Sequence, residues 1–179
     1  VSTPLPEPGL ARRVVTEASG RGLTLGTAES LTGGLLSAAL TAVPGASAVL
    51  AGGVVAYDIR LKSTLLDVPA QLLESDGAVS ERTARAMAVG VCRLLGVPWG
   101  LATTGVAGPD PSEGKPPGTV HVAVHGVGAG GEEVQAHRVF SLHGTRDEVR
   151  AATVQRALEL LIDTWGAGSP VVCQDIGVP

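Results

Sequence analysis

Three short runs rich in Val, Leu, Ile and Ala, over residues 23–28, 49–57 and 99–106, alternate with stretches whose apolar residues recur at helical spacing. The short apolar runs read as buried strands, and the longer periodic stretches as amphipathic helices. The helical stretches begin with Leu10, Ala11, Val14, Val15 and Ala18. A second runs from about 33 to 43 and halts at Pro44-Gly45, a third covers 59–66, and a further turn of helix falls at 69–73. A clear helix opens at Ser80-Glu81, turns Ala84, Ala88, Val91 and Leu95 inward, and ends at Gly96. A cap hydroxyl followed by an acid in the first turn favours that start. Two later strands, 119–125 and 134–140, are joined by a glycine-rich turn and read as a hairpin. Thr145 and Glu148 fit a capping box that opens a last helix, which buries Val154, Leu158, Leu161 and Trp165. Strands separated by helices pair in parallel, and hairpins pair antiparallel. The predicted fold is therefore α/β, a three-layer α/β/α sandwich with a mixed, mostly parallel sheet. One domain is expected over 1–179, with a core at about 10–165 and an irregular tail at 166–179.

Composition narrows the function. Aromatic residues make up 2% of the 179, so little surface is available to stack unpaired bases. The formal net charge is −4 and no basic run occurs, which argues against a nucleic-acid partner. A small anionic ligand remains compatible, because one local positive site suffices. The two cysteines, Cys92 and Cys173, form no C-x-x-C pair, so neither a zinc site nor a redox motif is expected. Cys92 lies in a helical pattern as a small apolar residue. No apolar window is long enough to span a bilayer, and the Pro-rich start, 1–8, lacks a signal pattern. A cytoplasmic protein without a membrane partner is the expectation.

The chemistry concentrates at strand ends. Thr27-Ala28-Glu29-Ser30-Leu31-Thr32-Gly33-Gly34 joins a strand to a helix and brings a hydroxyl beside backbone N–H groups. Such a place stabilises anions and developing oxyanions. The G-x-S-x-G elbow itself is absent, and a cap plus a turn would use the same residues. Tyr57 and Lys62 flank another strand end, at a spacing one longer than the Tyr-x-x-x-Lys of short-chain dehydrogenases. A lysine half neutral near pH 7.5 sits about three pH units below its ordinary value, a cost of roughly 4 kcal/mol. Only a desolvated site supplies that; a solvated lysine on a short helix is the plain alternative. Thr103-Thr104-Gly105-Val106-Ala107-Gly108-Pro109 closes a third strand, where such sheets bind ligands or simply turn. Gly126, Gly128 and Gly131 match G-x-G-x-x-G, but a strand follows where a dinucleotide site needs a helix. His121 and His125 share one strand face without further metal ligands in view, and no metal is expected there or at His137 and His143. Arg146 suits a phosphate or carboxylate, or plain solvent.

Taken in order, these blocks resemble a known family. The matching stretches are Thr27 to Gly34, Pro44-Gly45-Ala46-Ser47, Gly52-Gly53-Val54-Val55-Ala56-Tyr57, and Lys62. They continue with Gly77-Ala78-Val79-Ser80, Thr104 to Pro109, Lys115 to Val120, and Gly144-Thr145-Arg146. The chain resembles the C-terminal domain of the competence/damage-inducible protein CinA, the nicotinamide-nucleotide amidase family, over roughly residues 10–161. Leu31 stands where that family usually has cysteine, and the paired glycines usual after Gly108 are absent. The resemblance implies an amidohydrolase that converts nicotinamide mononucleotide to nicotinic acid mononucleotide and ammonia, in pyridine-nucleotide salvage. It implies catalytic roles for Ser30 as nucleophile, Lys62 as its base and Tyr57 in orienting or relaying the proton. It implies substrate contacts from Thr32, Gly33, Gly34, Thr104, Gly105 and Arg146, with no cofactor. N–H groups near Gly33 and Gly34, or the Thr104 hydroxyl, are the expected oxyanion donors. The rival reading is a catalytically silent nucleotide-binding or assembly domain linked to competence or DNA-damage responses. Compact α/β enzymes of this kind form symmetric assemblies, so a homo-oligomer is expected.

Overall fold

The computed structural model describes residues 8–128 and 130–166. The Pro-rich start before Pro8, Cys173 and the tail beyond Gly166 lie outside the described residues, and Gly166 itself closes the last helix rather than opening a tail. The elements are α1 (Pro8–Gly20), β1 (Leu25–Glu29), α2 (Leu35–Thr41), a 3₁₀ turn at Ala46–Ala48, β2 (Leu50–Val55), α3 (Ile59–Leu66) and α4 (Ala70–Asp76). They continue with α5 (Glu81–Leu95), β3 (Trp99–Gly105), β4 (Thr119–Val127), β5 (Glu133–Ser141) and α6 (Arg146–Gly166). The strands form one sheet in the order β2-β1-β3-β4-β5.

The sheet is mixed, but it is not mostly parallel as expected. β1 pairs in parallel with β2 and β3, while β3 with β4 and β4 with β5 are antiparallel. The connections explain the correction. Helices cross over from β1 to β2 and from β2 to β3, whereas the loop from β3 to β4 contains no helix and β4 turns directly into β5. Without a helical crossover the returning strand runs antiparallel. The glycine-rich turn is a hairpin, with Gly128 N–H donating to the Glu132 carbonyl.

Helices cover both faces, and the strand residues explain how closely. One face carries Leu25, Trp99, Leu101, Val120, Val122 and Val124, which form a core with α1, α2 and α6. The other carries Ala28, Ala102 and Ala123 beneath α5, with α3 and α4 completing that cluster. Alternate strand residues point to opposite faces, so the bulky and small sets interleave along each strand. Small residues let α5 approach the sheet. A Cβ on Gly100 would collide with the Ala88 carbonyl of α5, and one on Gly26 would come within 2.7 Å of Leu95.

Local caps set the helix ends. Ser80 Oγ accepts from Thr83 N–H, and Asp58 caps α3 by accepting from Arg60 N–H. Thr145 and Glu148 form the capping box: Thr145 N–H donates to Glu148 Oε2 at 2.7 Å. His121 and His125 face α5, but His121 stacks on His137 with Nδ1 3.0 Å from Nε2 rather than meeting a ligand set. Among the described residues no cluster of three metal-ligating side chains occurs. Nor is any described helix long and apolar enough to cross a membrane.

Candidate active site

The same alternation that separates the two cores builds the site. Glu29 and Thr103 are partners across β1 and β3. Their side chains point toward α2, where Thr103 Oγ1 meets Thr32 Oγ1 at 2.8 Å. One residue further, Ser30 and Thr104 therefore point to the α3/α5 side. Ser30 N–H donates to the Thr103 carbonyl at 2.9 Å, which ties the end of β1 to β3. The carboxyl ends of two parallel strands thus present two hydroxyls at one place, where open α/β sheets bind ligands.

Lys62 reaches this place from α3. Among the described residues it is the bulkiest fully buried side chain, 1% exposed. Its Nζ lies 3.0 Å from Ser30 Oγ and donates to the Ala56 carbonyl at 2.7 Å. Both hydrogen-bond partners are uncharged, so no direct ion pair offsets the loss of water. Burial pushes the Lys62 amine down to about 8, opposed by the negative charges of Glu113 and Asp58. Desolvation disfavours the charged form of an amine, so Lys62 is suited to act as a base.

A cleft of about 290 Å³ opens over this pair. Ser30, Tyr57, Lys62, Thr104, Gly105 and Arg146 all line it, so the fold brings six of the nine expected site residues together. Thr32, Gly33 and Gly34 are not part of its lining. Thr32 is fully buried against Thr103. Gly33 and Gly34, at φ 59° and 97°, make the tight turn into α2 in a conformation that favours glycine. Their N–H groups are also occupied: Gly33 N–H donates to the Ser30 carbonyl at 3.1 Å and Gly34 N–H to Glu29 Oε2 at 2.9 Å. Neither is free to meet an oxyanion.

Tyr57 and Arg146 sit at the mouth. Tyr57 is 60% exposed, and its hydroxyl accepts from Arg146 Nη2 at 2.9 Å. Arg146 Nη1 donates to the Gly108 carbonyl at 2.9 Å, so one guanidinium straps the strand end at Tyr57 to the loop after β3. The Thr104 hydroxyl donates to the Ala78 carbonyl at 2.7 Å, which leaves its oxygen lone pairs for the cleft.

Several residues that matter here carried no recognisable signal in the sequence. Glu29 is fully buried, and its carboxylate accepts from Gly34, Leu36 and Ser37 N–H groups and from Ser37 Oγ. An acid at a helix N-terminus is favourable, and this one anchors the turn beside Ser30. Glu113 reaches across the cleft and accepts from Ala78 and Val79 N–H groups, both at 3.0 Å. Arg150, one turn beyond Arg146, donates to the carbonyls of Leu31 and Thr32 at 3.2 and 3.1 Å. The capping-box spacing hinted at the start of α6, but not at what its second arginine holds.

The family model described as the CinA C-terminal domain matches residues 7–165. The chain belongs to the CinA C-terminal domain family. It is 50% identical over 141 residues to a CinA-like protein of Frankia casuarinae, covering 79% of this chain and 31% of that protein. It is 46% identical over 147 residues to a putative competence-damage inducible protein of Geobacillus kaustophilus, covering 82% of this chain and 34% of that protein. The chain thus spans about a third of the length of these curated relatives. Among solved structures, the competence/damage inducible protein CihA of Agrobacterium tumefaciens superposes with a TM-score of 0.83 at 39% identity, covering 92% of this chain and 99% of that one. A CinA superfamily protein of Klebsiella pneumoniae 700603 gives 0.83 at 33% identity, covering 93% and 99%. This chain shares the α/β fold of those structures over nearly their whole length.

Proposed function

We propose that this CinA-family chain is an amidohydrolase that deamidates nicotinamide mononucleotide to nicotinic acid mononucleotide, with release of ammonia. The observation that carries the reading is the buried amine of Lys62, 3.0 Å from the Ser30 hydroxyl and without a charged hydrogen-bond partner. An amine titrating at about 8 is neutral in about a tenth of molecules at pH 7, which is enough to serve as a base.

Neutral Lys62 takes the Ser30 proton as Oγ attacks the carboxamide carbon. The Ala56 carbonyl holds the amine in line. The Thr104 oxygen accepts a hydrogen bond from the carboxamide N–H₂ and orients it. Protonated Lys62 then passes its proton to the departing nitrogen, the C–N bond breaks, and ammonia leaves an acyl ester on Ser30. Water, deprotonated by Lys62, attacks that ester; the returned proton restores Ser30, and the acid product leaves. Arg146 places a positive charge at the mouth, suited to the phosphate of a nucleotide. Tyr57 holds Arg146 rather than the reacting pair, so its part is to position that charge.

Incubation of the purified chain with nicotinamide mononucleotide, with ammonia and the acid product both measured, tests the reading. The expected result is stoichiometric release by the wild type, and binding without release by Ser30→Ala. Binding without turnover by the wild type would favour the silent-domain reading instead.

A further inference from the structure

Cleavage through an acyl-enzyme needs donors for the oxyanion, and the N–H groups at Gly33 and Gly34 are already spent. The turn between Ser30 and α2 offers others. Leu31 lines the cleft beside Ser30. The N–H groups of Leu31 and Thr32 donate to no acceptor among the described residues. Their direction follows from the carbonyls, because a peptide's C=O and N–H point opposite ways across a planar unit. The Ser30 carbonyl turns inward to accept from Gly33 N–H, so Leu31 N–H turns outward. The Leu31 carbonyl points at Arg150 of α6, so Thr32 N–H faces away from α6.

We infer that Arg150 is a positioning residue for the oxyanion site, holding the Ser30–Gly33 turn so that Leu31 N–H meets the developing charge. This rests on the amidase reading above. The guanidinium forks across two successive carbonyls, Nε to Leu31 and Nη2 to Thr32, and so fixes two peptide planes at once. Lysine offers a point charge without that fork. The Thr32–Gly33 peptide it grips carries the Gly33 N–H that donates to the Ser30 carbonyl, so the guanidinium reaches the Ser30–Leu31 unit, whose N–H is the donor, through one intervening hydrogen bond. The amide after the nucleophile is the donor that strand–turn–helix hydrolases use, and here the guanidinium supports it indirectly, by fixing the Gly33 amide that holds the Ser30 carbonyl. The remaining Arg150 contact, Nη1 to Asp147 Oδ1 at 3.3 Å, is partly exposed and lies away from the turn.

The test is steady-state kinetics on nicotinamide mononucleotide with Arg150→Met, Arg150→Lys and, as a control, Asp147→Asn, across pH 6 to 10. Folding of each is checked by thermal melting. Arg150→Met is expected to lower kcat about 10- to 100-fold while KM stays within about twofold, since small displacements of oxyanion donors cost on that order. Arg150→Lys recovers part of the loss, and Asp147→Asn behaves as wild type. The pH midpoint set by Lys62 stays in place, because the charges acting on that amine are Glu113 and Asp58 rather than Arg150. Unchanged kcat, a loss confined to KM, or a displaced pH midpoint would overturn the inference. If Arg150→Met does not fold, Arg150→Lys decides by the same criteria. A wild-type chain without turnover overturns the amidase reading and this inference with it, whereas failure confined to the variants overturns the inference alone.

Discussion

The energetics of the site turn on Lys62. An amine removed from water and given only neutral partners is held below its ordinary value, and the fold carries the cost. Lys62→Met should therefore abolish turnover and raise the thermal midpoint at neutral pH, because a thioether chain of similar length fills the same space. The stabilisation is on the order of 3 kcal/mol if the whole displacement is recovered. The sign with pH follows from linkage. The folded-state value of about 8 lies below the unfolded value of 10.5, so the stability tied to this group is present above 10.5 and is lost as pH falls toward 8. The advantage of Met should shrink as pH rises from 8 to 10.5, which melting curves of the two proteins would reveal. Glu113 pulls the other way. Its negative charge favours protonated Lys62, so Glu113→Gln should move the acid limb of kcat/KM to lower pH. At this scale the sequence was informative about identity and silent about partners. Ser30, Lys62 and Arg146 stand in recognisable motifs, whereas the Tyr57–Arg146 bond spans 89 positions and no local pattern encodes it.

Among the elements, α2 shows how a short helix is fixed by the strand before it. Glu29 supplies the cap that Gly34 lacks, since Gly34 at the N-cap has no side chain to do so. Glu29→Ala strands three backbone N–H groups in a half-buried turn next to the nucleophile. It should lower stability by roughly 3 kcal/mol or more, read from the urea midpoint, and lower kcat by disturbing Ser30. The β3–α5 packing makes a second prediction. Gly100→Ala forces a methyl against the Ala88 carbonyl and should cost about 1–3 kcal/mol in the same measurement. Helix ends were the most legible part of the sequence. Ile59–Leu66 and the helix between Ser80 and Gly96 fall where the pattern and caps indicate. The role of Gly100 was not legible, because a strand glycine reads as a weakness until the helix it admits is known. In sequence the first turn of α2 resembles an open anion site for a related reason: a buried glutamate at the end of a strand gives no local sign of which amides it will take.

For the whole molecule, sheet direction was the least legible property. Alternation of strands and helices predicted parallel pairing, and it held for the three strands that helices connect. It failed at the loop from β3 to β4, whose Gly/Pro composition carries no information on direction. The antiparallel half brings His121, His125 and His137 beneath or beside α5, and burial lowers all three below the ordinary histidine value of 6.5, His137 to about 4. Neutral imidazoles are thus favoured by the folded state. Stability should fall as pH drops from 6.5 toward 4, and thermal melts in that window would detect it, while His137→Phe should flatten the fall. This loss is separate from catalysis, which depends on an amine titrating higher. The most direct measurement is ammonia release from nicotinamide mononucleotide by wild type, Ser30→Ala and Lys62→Met from pH 6 to 10. If Ser30 and Lys62 are the reacting pair, wild-type kcat/KM rises with pH to a plateau with its midpoint near 8, and both variants lose at least a thousandfold. Turnover by Ser30→Ala near the wild-type rate, or a wild-type profile flat through pH 8, would contradict it.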